Sequence, residues 1–219
     1  MDPAPPMPEG SNQQPPVHFR TTTTKTSDGR EIGIECAIPD VVTALAVLCH
    51  PHPLYGGTST HPLLLMLERH LNAIGCATAR FNFRHSSGNT IDEMPDARAA
   101  LDVLDAMTPS VPRVLIGYSF GAIVALRVAL SLQQSELPVD SVVLVAPPLV
   151  GVHLEPPTTP TTIIAMEHDQ FCPPSELLSH PLAAQSHVIT VTGADHFLHG
   201  ALNRICSEAV ETVTTLLDG

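Results

Sequence analysis

Residues 111–132 read VPRVLIGYSFGAIVALRVALSL, and the way this stretch divides decides the rest. A short apolar run (111–118) meets a longer one (120–132), with Gly117-Tyr118-Ser119-Phe120-Gly121 at the join. The lengths predict a buried strand feeding a buried helix. A serine on the turn between them, with glycine two residues to either side, is the G-x-S-x-G arrangement in which a strained turn lifts the hydroxyl above the end of a sheet. Side chains at the two glycines would collide with neighbouring backbone. The five-residue pattern is weak alone, because a serine there can simply cap the helix. The strand before it and the helix after it give it meaning, and that helix offers Ser119 free N–H groups and the positive end of its dipole.

Outward from this unit the chain alternates. VHFRTTTTK (17–25) and EIGIECAIP (31–39), joined by Ser27-Asp28-Gly29-Arg30, predict an antiparallel hairpin. TALAVLC (43–49) and CATARFNF (76–83) are apolar strands, and between them a helix over about 62–74 carries Leu63, Leu64, Leu67, Leu71 and Ile74 at helical spacing. A second helix is expected over 93–107. Beyond the serine come strands DSVVLVAP (140–147), TTIIAM (161–166) and SHVITVTG (186–193), with helices over 174–183 and 199–217. The fold class is therefore α/β: about eight strands, the first two antiparallel and the rest parallel, with helices on both faces. PPLVGVHLEPPTTP, between the sixth and seventh strands, reads only as a loop, so no large cap domain covers the strand ends.

The bulk composition narrows the function. A chain of 219 residues suits one domain, here expected over 17–219. Ten Lys and Arg against 22 Asp and Glu give a net charge of -12, which repels nucleic acid and anionic membranes alike. The longest apolar runs fall short of the ~18 residues a membrane span needs. MDPAPPMPEGSNQQPP (1–16) has neither a basic start nor an apolar stretch, so it predicts a disordered Pro-rich tail on a cytoplasmic protein rather than a secretory signal. Five scattered cysteines without a C-x-x-C pair argue against a disulfide framework or a zinc knuckle.

A serine hydroxyl needs a base to become a nucleophile, and the base needs an acid to hold its tautomer. For a serine on a strand-turn-helix the expected chain order is serine, acid, histidine, each partner following a later strand. TTIIAMEHDQFCPP (161–174) offers Asp169 as the acid, with Glu167 as the alternative. SHVITVTGADHFLHG (186–200) offers His196 as the base, ahead of His199, which is expected on the helix, and His168, which shares the acid's loop. Asp195 reads as a backbone-capping residue. Cys172, beside Asp169, is either an inert core thiol or a redox-sensitive one.

LCHPHPLYGG (48–57) closes the set: two histidines, each followed by proline, where a strand ends. An H-x-H at a strand end also begins the zinc site of barrel amidohydrolases, but such a barrel takes ~250 residues and eight strand-helix units, which this chain lacks. The stretch reads instead as shaped backbone, stiffened by Pro51 and Pro53.

LCHPHPLYGGT, ARFNFR, GYSFGA and GADHF together resemble the α/β-hydrolase superfamily, and specifically its small lidless branch related to dienelactone hydrolases. The resemblance covers nearly everything after residue 17. It implies an oxyanion hole built from the N–H of Phe120 and an N–H of the loop after the third strand. Prolines cannot donate, so that second donor is His52, Leu54 or Tyr55, with Leu54 favoured. One departure stands out: relatives follow the FNFR strand with R-G-x-G-x-S, where this chain has Arg84-His85-Ser86-Ser87-Gly88.

The reading is a serine hydrolase acting on a small-molecule ester or thioester through Ser119, His196 and Asp169, needing no cofactor and no metal. The alternative is a noncatalytic interaction module that retains the fold, with its Pro-rich tail as a ligand for a proline-binding domain. Selectivity is assigned to loops around Tyr55, 84–93 and 148–160, and the oligomeric state is left open, since either sheet edge can pair.

Overall fold

A computed structural model of the chain describes residues 16–84, 88–108, 110–133, 135 and 137–218. Residues 1–15 of the expected tail, and His85, Ser86 and Ser87 of the departure after FNFR, lie outside the described residues.

Eight strands form one sheet: β1 (Val17–Lys25), β2 (Glu31–Pro39), β3 (Ala44–Cys49), β4 (Cys76–Phe81), β5 (Arg113–Tyr118), β6 (Ser141–Val145), β7 (Thr161–His168) and β8 (His187–Asp195). Their order is β1-β2-β4-β3-β5-β6-β7-β8. β1 pairs antiparallel with β2, β2 antiparallel with β4, and every later pair is parallel. The central strands read as unbroken apolar runs because both faces are covered. In β3, Leu45, Val47 and Cys49 join one core cluster while Ala44, Ala46 and Leu48 join the other, the period of two made visible. Helices α1 (Pro62–Ala73) and α6 (Leu202–Asp218) pack on one face, α2 (Met94–Met107) and α3 (Phe120–Leu132) on the other.

The C-terminal third differs from expectation in two places. The helix expected over 174–183 is two short ones, α4 (Pro174–Ser179) and α5 (Pro181–Ala184). Pro181 pushes the residue before it out of the helical region, and His180 is extended at φ -76°, ψ 136°. The last helix begins at Leu202, so His199 sits in a turn rather than on α6. Residues 146–160, between β6 and β7, hold no helix and form no cap domain over the strand ends. Among the described residues no helix is long and apolar enough to cross a membrane.

Candidate active site

β5 delivers Ser119 to the carboxyl edge of the sheet and α3 leaves from it. The serine backbone lies at φ 53°, ψ -118°, a left-handed conformation that strains a non-glycine residue by roughly 1–3 kcal/mol. It is held there by Ser119 N–H donating to Val145 O (2.9 Å) and Ala122 N–H donating to Ser119 O (2.9 Å). The flanking glycines are required by contact. A Cβ on Gly117 would lie 2.2 Å from Gly121 O, and one on Gly121 would lie 2.3 Å from Cys49 O. The helix start is thus pressed onto the end of β3.

Ser119 Oγ lies 2.9 Å from His196 Nε2. On the far side of the ring, Nδ1 lies 2.9 and 3.0 Å from the two oxygens of Asp169. Asp169 Oδ1 also accepts the N–H groups of Phe171 (2.8 Å) and Cys172 (3.0 Å), which fix its orientation where β7 ends. Both Asp169 and His196 are buried. The carboxylate thus sets Nδ1–H and leaves Nε2 bare toward the serine.

The other candidates fall outside this line. Glu167 accepts Gly193 N–H (2.7 Å), and His168 is exposed. His199 pairs with Asp195, whose two oxygens take the His199 N–H (3.2 Å) and Nδ1 (2.8 Å), so Asp195 caps its turn. Cys172 is 5% exposed, and burial raises its thiol pKa. That is the reverse of the lowered, accessible thiol a redox switch requires, so its amide, not its sulfur, touches the site.

The HPHP stretch is shaped by its imidazoles. His50 Nδ1 donates to Pro51 O (2.6 Å) and Nε2 accepts Phe83 N–H (3.0 Å), tying the end of β3 to the chain after β4. Burial pushes its pKa down to about 4, so the ring is a neutral tether with neither nitrogen free for a metal. Gly57 lets the loop close: a Cβ there would stand 1.8 Å from Pro51 O. The expected oxyanion donor at Leu54 needs correcting. His52 caps a one-turn 3-10 helix (Pro53–Tyr55) and its Nδ1 accepts Leu54 N–H at 3.1 Å. Tyr55 and Gly57 N–H both donate to His52 O (3.0 and 3.1 Å). Of the three candidates only His52 N–H keeps no hydrogen-bond partner among the described residues, and its ring packs edge-on against Phe120 at 4.7 Å. Phe120 N–H stands in the first turn of α3, where backbone donors have no intrahelical acceptor.

Sequence reading missed several contributors. Tyr118 Oη–H donates to His196 O (2.7 Å), and Phe171 packs on the His196 ring at 4.5 Å. Tyr118 had a local signal, as the residue before the serine on a strand whose side chains alternate. A cavity of about 590 Å³ opens beside Ser119 and His196, and its lining includes His52, Ile123, Arg127, Phe171 and Phe197. Among the described residues no group of three His, Cys, Asp or Glu side chains is placed to hold a metal ion.

The sheet order, the strained serine between β5 and α3, and the absence of a large cap among the described residues define an α/β hydrolase of the lidless kind. The chain belongs to the Thioesterase domain family, which it matches over residues 52–162, just over half its length. It is 28% identical over 173 residues to an uncharacterized protein of Rickettsia prowazekii, a match spanning 70% of this chain and 71% of that one. Among solved structures it is similar to an α/β serine hydrolase homologue from Coxiella burnetii (25% identity, TM-score 0.75, 88% of this chain and 96% of that one). It is equally similar to a lidless α/β serine hydrolase from Xanthomonas campestris (26% identity, TM-score 0.74, 92% and 95%).

Proposed function

We propose that the protein is a serine hydrolase that cleaves a small ester or thioester through an acyl-enzyme. The observation that carries this reading is the unbroken line from Ser119 Oγ through His196 to Asp169, with each gap 2.9–3.0 Å.

His196 Nε2 takes the Ser119 proton as Oγ attacks the acyl carbon, and Asp169 holds the imidazolium that forms. The carbonyl oxygen becomes an oxyanion facing the N–H groups of Phe120 and His52; one such donor typically supplies ~2.7–4 kcal/mol of transition-state stabilisation. His196 then gives the proton to the departing alkoxide or thiolate. Water enters, loses a proton to the same nitrogen and releases the acid, restoring Ser119. The likeness to lidless serine hydrolases supports this reading, and the chemistry draws on no cofactor.

Labelling with a fluorophosphonate probe tests it. Wild type is expected to react, and Ser119→Ala and His196→Ala are expected to stay dark. A folded wild type that does not react, or that labels equally with Ser119→Ala, overturns the reading in favour of a noncatalytic module.

A further inference from the structure

The wall of the cavity on the α3 side holds a cation without a counter-ion. Arg127 lines it, yet no carboxylate among the described residues lies within ion-pair distance of its guanidinium. The other arginines drawn out of solvent each have one: Arg80 pairs with Glu68 (2.7 Å), Arg113 with Asp105 (3.1 Å), and Arg84 with Asp96. In a chain with 22 acidic residues and ten basic ones, a half-buried arginine left unpaired is the exception.

Its one hydrogen bond among the described residues points the same way. Arg127 Nε–H donates to Thr90 Oγ1 at 2.7 Å, and that hydroxyl donates to Asn89 O at 2.6 Å. The Nη donors remain for a ligand, and such a planar fork suits a carboxylate. Thr90 sits at φ 62°, a conformation a β-branched residue rarely adopts. Strain of that kind gathers where a side chain is held for a ligand. The threonine holds the fork, and Ile123, one turn nearer the serine on α3, supplies an apolar floor between.

Sheet order decides which half of the substrate faces Arg127. His196, which protonates the leaving group, arrives from β8, three strands to one side of β5. Thr90 arrives from the chain after β4, two strands to the other side. The acyl portion therefore lies in the lobe with Ile123 and Arg127. Arg127 lies eight positions after Ser119, a rise of about 12 Å that the N-terminal tilt of helical side chains shortens.

We propose that Arg127, held by Thr90, is a specificity-determining residue that binds a carboxylate at the far end of the acyl chain, so that preferred substrates are half-esters or half-thioesters of short dicarboxylic acids. The inference rests on the hydrolase reading for its chemistry, but the anion subsite can be tested apart from it. The p-nitrophenyl half-esters of glutarate, adipate and suberate are compared with p-nitrophenyl alkanoates of equal chain length, in wild type, Arg127→Met and Arg127→Lys. Wild type is expected to favour the half-esters in kcat/KM. The half-ester-to-alkanoate ratio is expected to fall about 10- to 100-fold in Arg127→Met, as loss of a charge-assisted hydrogen bond gives, with Arg127→Lys between. Equal kcat/KM for the two series in wild type, or a ratio unmoved by Arg127→Met, overturns the proposal and leaves the hydrolase reading standing. If neither series is cleaved, calorimetric titration with adipate decides. Binding by wild type that is lost in Arg127→Met supports the subsite, and no binding by wild type overturns it.

Discussion

Replacing His50 with glutamine should flatten the acid limb of the protein's stability curve. The imidazole is 1% exposed, donates through Nδ1 to Pro51 O and accepts Phe83 N–H through Nε2, so the fold accommodates only its neutral form. Burial, set against the raising effect of the Pro51 carbonyl, takes its pKa from 6.5 down to about 4. Above pH 6.5 the ring is uncharged folded or unfolded, and its protonation contributes nothing to the pH dependence. As pH falls through 6.5 the unfolded chain binds the proton first, so stability is lost progressively until the folded ring also titrates near pH 4. At pH 5 the unfolded state gains about 2 kcal/mol from this proton and the folded state almost none. Urea unfolding of wild type and His50→Gln at pH 7.5 and 5.0, at constant ionic strength, measures the difference. The variant loses two hydrogen bonds and is less stable at both pH values, but its drop between them should be smaller than that of wild type by about 2 kcal/mol. Parallel acid limbs would refute the buried neutral tether.

Asp169→Asn should leave the fold intact and lower kcat by about 10⁴-fold, because an amide no longer imposes the Nδ1–H tautomer on His196; single-turnover kinetics with an activated ester checks it. Tyr118→Phe removes the hydroxyl that donates to His196 O, and should cost about 1 kcal/mol in urea unfolding together with a several-fold fall in kcat/KM. His180→Ala cuts the bond from Nε2 to Val152 O (2.9 Å) that pins the loop walling the cavity. It should raise KM more than it lowers kcat, and a full set of substrates with unchanged KM would count against the loop's role.

The sheet was legible because its signals are local and repeated. An apolar run long enough for a strand and too short for a helix recurs with helical spacing between, and parallel order follows from the alternation. The positions of Ser119, Asp169 and His196 could be named because each lies just past or at the end of such a run. Features set by what a side chain meets across the fold were not legible. A single helix over 174–183 ignores Pro181, whose ring excludes His180 from the helical region and splits the segment in two. Leu54 looked like a free amide until the His52 ring turned back on it. Arg127 is the one charged residue in an otherwise largely apolar helix, and only the chain after β4, 37 residues earlier, shows why its guanidinium is held at the cavity.

His52, His61 and His180 share one construction, which bears on which imidazole can serve as a base. Each precedes a proline, caps the short or long helix that follows, and accepts through Nδ1 the N–H two residues on, at 3.1, 3.2 and 3.2 Å. A neutral ring that accepts at Nδ1 carries its proton on Nε2, so each of these three presents a donor and no lone pair. His180 uses that donor on Val152 O. His50 is the opposite tautomer, but its bare Nε2 is closed by Phe83 N–H. His196 alone among these five takes its Nδ1–H to a carboxylate and turns an open Nε2 toward a hydroxyl. The backbone thus occupies four imidazoles, and the Asp169 carboxylate, on its strand-end turn, leaves the fifth with its Nε2 lone pair turned toward the serine hydroxyl.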